Sequence, residues 1–81
     1  MTSKELNREI YSVIRSSTET ELQLHDELYL IAQMGLSSVE IMLLISDLED
    51  RFGIDLPVSE LRHVATVGQL CQMVAQAINS R

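Results

Sequence analysis

Ser37, Ser38 and Glu40 are the residues whose types and spacing most readily suggest chemistry. A serine followed three positions later by a glutamate is spaced as a capping box. The Ser37 hydroxyl then accepts from the backbone N–H of position 40, and the Glu40 carboxylate reaches back to the N–H of Ser37. That arrangement makes Ser38 the first helical residue. A hydroxyl there stands before unpaired backbone N–H groups and the positive end of the helix dipole, so a phosphate attached to Ser38 would sit in favourable electrostatics. The same two serines also read as an ordinary helix cap, and local chemistry alone favours that plainer reading.

The other reactive side chains do not assemble into a second site. Hydrolytic catalysis needs a converging nucleophile, base and orienter; His25 precedes the Ser38 helix and His63 lies far along the chain, each reading as a solvated histidine. We assign no catalytic residue. Asp47, Glu49, Asp50 and Asp55 cluster without the alternating Asp/Asn and Gly of a calcium loop, and read as a solvated acidic face. One cysteine cannot close an internal disulfide, and its spacing from the two histidines suggests no zinc site, so no metal is expected. Cys71 falls in an apolar helical stripe and reads as a small core residue.

The 81 residues imply one domain over 1–81, and a chain this short buries only about 60% of its unfolded surface, leaving little room for an enclosed active site. Hydrophobic residues make up 46% of the chain but only three are aromatic, so the core must be aliphatic. Twelve acidic against six basic residues give a formal charge of −6, which disfavours nucleic acid and anionic lipid and favours partners with basic patches. No apolar run reaches the roughly 18 residues of a membrane span, and the first residues do not lead into a signal-peptide core. The expectation is a cytoplasmic monomer.

Elements that would position Ser38 follow from periodicity. Thr2 and Glu5 form a possible capping box, and Leu6, Ile10, Val13 and Ile14 recur at helical spacing, predicting a first helix over Ser3 to Arg15. From Ser16 to Ser37 the period is lost. Turn formers come first, then Leu22, Leu24, Leu28, Leu30, Ile31, Met34 and Leu36 are scattered among polar residues, predicting a long connection packed across the helices. A second helix is predicted from Ser38 to Phe52, with Ile41, Leu44, Ile45, Leu48 and Phe52 facing inward and Gly53 closing it. Its outer side carries Glu40, Asp47 and Asp50 but also Val39, Met42 and Leu43, apolar residues that suggest a partner surface. Ser59 to His63 reads as a short helix, with Val58 and Leu61 turned inward. Thr66 and Gln69 form another capping box before a last helix ending near Asn79. The expected class is all-α, a four-helix bundle of three longer helices and one short helix.

Three stretches in order carry a resemblance. Met34-Gly35-Leu36-Ser37-Ser38-Val39-Glu40, then Leu48-Glu49-Asp50-Arg51-Phe52-Gly53-Ile54-Asp55-Leu56-Pro57, then Ala65-Thr66-Val67-Gly68-Gln69-Leu70 resemble the acyl carrier protein family. Its members read Gly-x-Asp-Ser-Leu, Leu-Glu-x-x-Phe-Gly-Ile-x-Ile/Leu-Pro and Thr-Val-Gly-Asp-Leu. The resemblance covers nearly the whole chain. It implies an antiparallel four-helix bundle in which Ser38 carries a phosphodiester-linked 4′-phosphopantetheine, derived from coenzyme A, whose thiol holds an acyl intermediate as a thioester. The chain departs from the pattern where Ser37 replaces the aspartate before the modified serine and Val39 replaces the following leucine. In the family that aspartate lies near the metal-bound centre of the loading transferase. Leu43 stands where fatty-acid carriers are often acidic, which points to a specialised, discrete member.

The implied function is a non-enzymatic carrier for fatty-acid or polyketide-type biosynthesis. Its implied partners are a phosphopantetheinyl transferase and acyl-transfer, synthase or ligase enzymes with basic patches, met through Val39, Glu40, Met42, Leu43, Asp47 and Asp50. The alternatives are a peptidyl or aminoacyl carrier, and a helical interaction module without the cofactor.

Overall fold

The computed structural model describes residues 3–57, 59 and 64–80. Three helices organise them: α1 (Ser3–Thr18), α2 (Ser38–Phe52) and α3 (Val67–Asn79). Among the described residues there is no strand, only an isolated antiparallel bridge between Tyr29 and Thr66. α2 and α3 have the expected limits. The predicted short helix, with Val58, Leu61 and His63, lies outside the described residues apart from Ser59, as does Thr2 of the first predicted capping box.

α1 runs three residues beyond the predicted end at Arg15. The turn-forming side chains there turn back into the helix. Thr18 Oγ1 donates to the Ile14 carbonyl at 2.7 Å, and the Ser17 hydroxyl donates to the Asp47 carboxylate of α2. Such back-bonding satisfies the hydroxyl without breaking the helix. Glu19 then closes it, with φ at 53° and its N–H donating to the Arg15 carbonyl at 3.0 Å. That is the left-handed C-terminal cap usually taken by glycine.

The core is aliphatic, as composition requires. Ile10 and Ile14 from α1, Leu44 and Leu48 from α2, and Val67, Leu70 and Val74 from α3 are fully buried, each large side chain contributing roughly 2 kcal/mol by leaving water. Ile41 and Phe52, expected in the α2 stripe, are only partly buried at its margin. α1 packs against both other helices. Ser17 meets Asp47 while Glu9 pairs with Arg51, so α2 runs back along α1 in the opposite sense.

Residues 19–37 form a strap across this body. Leu24, Leu28, Leu30 and Leu36 are buried, in keeping with a connection packed across the helices, whereas Leu22 and Ile31 are 44% and 62% exposed. Backbone bonds decide the difference. The Leu30 N–H donates to the Ala65 carbonyl at 2.9 Å, and the first amides of α3, Val67 and Gly68, donate to the carbonyls of Leu28 and Asp26, each at 2.9 Å. The strap therefore completes the N-terminus of α3, where amides have no partner within the helix. Tyr11 of α1 holds the same segment by donating its hydroxyl to Asp26.

Candidate functional site

The approach to α2 is a hydrogen-bonded turn. Tyr29 N–H donates to Gln33 Oε1 at 2.8 Å, the Gln33 and Met34 amides return to the Tyr29 carbonyl, and Gly35 N–H reaches the Ile31 carbonyl at 3.0 Å. Gly35 sits at φ 71°, where a side chain is disfavoured. The chain then enters the predicted capping box. Glu40 N–H donates to Ser37 Oγ at 3.2 Å, and Ser37 N–H donates to Glu40 Oε1 at 3.0 Å. Ile41 N–H closes the first helical turn on the Ser37 carbonyl at 3.0 Å.

This geometry separates two adjacent serines. The Ser37 hydroxyl is consumed by the cap, whereas Ser38 is exposed at the first helical position and its hydroxyl has no hydrogen bond among the described residues. The amides of Ser38 and Val39, the first donors of the helix, likewise meet no acceptor among the described residues. A spare hydroxyl thus stands beside spare donors and the positive helix end.

Around it the outer face of α2 is apolar with acidic edges. Val39, and Met42 and Leu43 one helical turn further on, are 67%, 59% and 59% exposed. Glu40, Asp47 and Asp50 are exposed as well. Two members of the predicted solvated acidic face are engaged instead. Asp47 accepts from Ser17, and the half-buried Glu49 accepts the Leu56 N–H at 2.8 Å, holding the Ile54–Pro57 segment against the end of α2. Ile31, on the turn that leads into the cap, is an exposed aliphatic residue that reading the sequence as a packed connection missed. No period-based signal separates it from its buried neighbour Leu30.

The remaining reactive groups lie elsewhere. His25 pairs with Glu27 at 3.3 Å in an exposed turn, and His63 lies outside the described residues. Cys71 is buried, and burial, followed by the nearby Asp26 charge, pushes its thiol from 9.0 up to about 12. It is an inert core thiol at neutral pH. The Tyr11 phenol is likewise raised by burial, and then by its bond to Asp26 and that group's charge. An open cleft of about 430 Å³ between α1 and α3, bordered by Asn7, Asp26, Gln72 and Cys71, does not include Ser38. Among the described residues no group of three or more His, Cys, Asp or Glu side chains comes together to hold a metal, and no helix is long and apolar enough to cross a membrane.

The family model of the phosphopantetheine attachment site matches residues 8–74. The chain belongs to that family. Its covalent cofactor is 4′-phosphopantetheine. The carrier also superposes on the solved structure of a candidate acyl carrier protein from Mycobacterium tuberculosis, with a TM-score of 0.83 and 25% identity over 88% of this chain and 96% of that one. No curated protein sequence matches it significantly. The residues at the start of α2 fit the cofactor: a solvent-facing hydroxyl and first-turn amides that have no hydrogen-bond partner among the described residues, a helix N-terminus to favour the resulting phosphodiester, and a cap that fixes the backbone without using that hydroxyl. Proteins of this type serve as carriers for acyl-handling enzymes and are substrates of phosphopantetheinyl transferases.

Proposed function

We propose that Ser38 is the attachment residue, and that this single carrier domain, spanning 1–81, presents acyl intermediates to the enzymes of a fatty-acid or polyketide-type pathway. The observation that carries the assignment is the division of labour between Ser37 and Ser38: one hydroxyl is locked in the cap, and its neighbour is exposed and without a hydrogen bond among the described residues. When attached, 4′-phosphopantetheine supplies a thiol that holds the acyl group as a thioester. The chain's own residues place and advertise the hydroxyl. Ser37 and Glu40 fix the first turn of α2, while Val39, Met42 and Leu43 supply the apolar centre of a transient interface. Glu40, Asp47 and Asp50 steer basic-rimmed partners, an effect felt more in encounter rate than in affinity. The carrier acts as a monomer in the cytoplasm and performs no catalysis itself.

Incubation of the purified protein with coenzyme A and a phosphopantetheinyl transferase, followed by intact mass measurement, is expected to show the addition of one phosphopantetheine group to the native chain and none to Ser38→Ala. No gain with several transferases, or an equal gain in the variant, would sink the assignment. The acyl group found on protein purified from its host then identifies the cargo, an aminoacyl group pointing to a peptide-type pathway instead.

A further inference from the structure

Ile31 lies on the turn that leads into the Ser37 cap. It is 62% exposed beside Leu30, which is 1% exposed, so the same turn that anchors one aliphatic side chain in the core holds its neighbour out in water. The turn is held by its own hydrogen bonds: Tyr29, Gln33, Met34, Gly35 and Leu36 all donate backbone N–H bonds within it, and Leu30 ties it to Ala65. An apolar side chain presented on a pre-organised backbone loses little freedom on binding, which is how an interface anchor differs from an incidental exposed residue.

Its distance from Ser38 is bounded by the chain. Gly35 N lies 3.0 Å from the Ile31 carbonyl oxygen. Three extended residues add at most about 11 Å, which places that carbonyl within roughly 14 Å of the Ser38 amide. A typical interface covers about 800 Å² on each partner, a disc of roughly 16 Å radius, so the Ile31 backbone falls within the span of an enzyme centred on the Ser38 amide. Enzymes that meet the far end of a prosthetic arm can stand off from this surface. The transferase cannot, because loading joins Ser38 Oγ to the pantetheine-bearing phosphorus of coenzyme A. The pyrophosphate bridge breaks, adenosine bisphosphate leaves, and the hydroxyl proton passes to a base of the transferase.

We infer that Ile31 is an apolar contact for the phosphopantetheinyl transferase that loads this carrier, a specificity-determining residue on the strap side of Ser38 that complements Val39, Met42 and Leu43 on α2. This rests on Ser38 being the attachment residue. The test measures loading kinetics by intact mass, with a broad-specificity phosphopantetheinyl transferase and coenzyme A as the probe, on the native chain, Ile31→Ser, Ile31→Leu, the exposed neighbour Ala32→Ser, and Ser38→Ala. Ile31→Ser is expected to raise KM about tenfold with kcat unchanged, the mark of lost binding without lost chemistry. Ile31→Leu and Ala32→Ser stay within about twofold of the native chain, and helical content by circular dichroism is unchanged throughout. Native loading with Ile31→Ser inside that twofold margin overturns the contact while leaving Ser38 in place. No loading of the native chain, or equal loading of Ser38→Ala, overturns the attachment assignment and this contact with it.

Discussion

At the scale of the residue, the cap and the proposed attachment point are neighbours that share a helix turn but no atoms. Ser37 Oγ accepts the Glu40 N–H at 3.2 Å, so its role is structural, and the carboxylate that members of this family carry at that position is not needed to start the helix. Ser37→Ala removes the acceptor and is expected to lower stability by about 1 kcal/mol. Ser37→Asp keeps an acceptor and adds a negative charge at the positive end of the dipole, and is expected to match or exceed the native chain. Urea unfolding midpoints rank the three, and an unchanged midpoint for Ser37→Ala would show that the Glu40 half of the box suffices. The box is legible in sequence because its two partners are three positions apart. Ile31 is not, since whether Leu30 or Ile31 points inward is settled by a bond to Ala65, more than thirty residues away.

At the scale of the element, the strap and α3 are one unit. The α3 amides of Val67 and Gly68 end on strap carbonyls, and a Cβ at Gly68 would lie 3.0 Å from both Asp26 Cβ and the Asp26 carbonyl oxygen. Two effects oppose each other in Gly68→Ala. Alanine gains up to about 1 kcal/mol of helix propensity, less in a first turn. Forcing a backbone carbonyl away costs about 1 to 3 kcal/mol and loosens the hydrogen bond it accepts. The carbonyl is fixed by that bond, so the clash wins, and a net loss of about 1 kcal/mol is expected in chemical denaturation; a stabilised variant would show that the strap yields freely. Periodicity placed α2 and α3 at their observed limits because their apolar stripes and caps agree. It stopped α1 three residues short because Ser16-Ser17-Thr18 reads locally as a turn, and only the partners of Ser17 and Thr18, one of them on another helix, keep the helix going.

At the scale of the whole molecule, a radius of gyration of 11.5 Å matches the roughly 12 Å of a compact domain of this length, so the strap lies on the body rather than looping away from it. That closeness brings Tyr11, Asp26 and Cys71 together and gives the fold a defined alkaline limit. Cys71 titrates near 9.0 when unfolded and near 12 when folded, both forms being protonated at neutral pH. Its contribution is therefore complete below pH 9. Between pH 9 and 12 the unfolded chain has released the proton that the native one retains, so stability falls with rising pH by up to about 1.4 kcal/mol per pH unit, levelling off near 12. Tyr11, whose phenol is also raised from an unfolded value of 10.0, adds a second decline in the same direction above pH 10. Urea unfolding of the native chain and of Cys71→Val, run under reductant at pH 8, 9, 10 and 11, separates the two declines. The stability difference between them is expected to hold steady up to pH 9 and then to shift in favour of the variant with each further unit. Parallel curves through pH 11 would mean that the thiol ionises as readily folded as unfolded, and that the α1–α3 cleft admits water to Cys71.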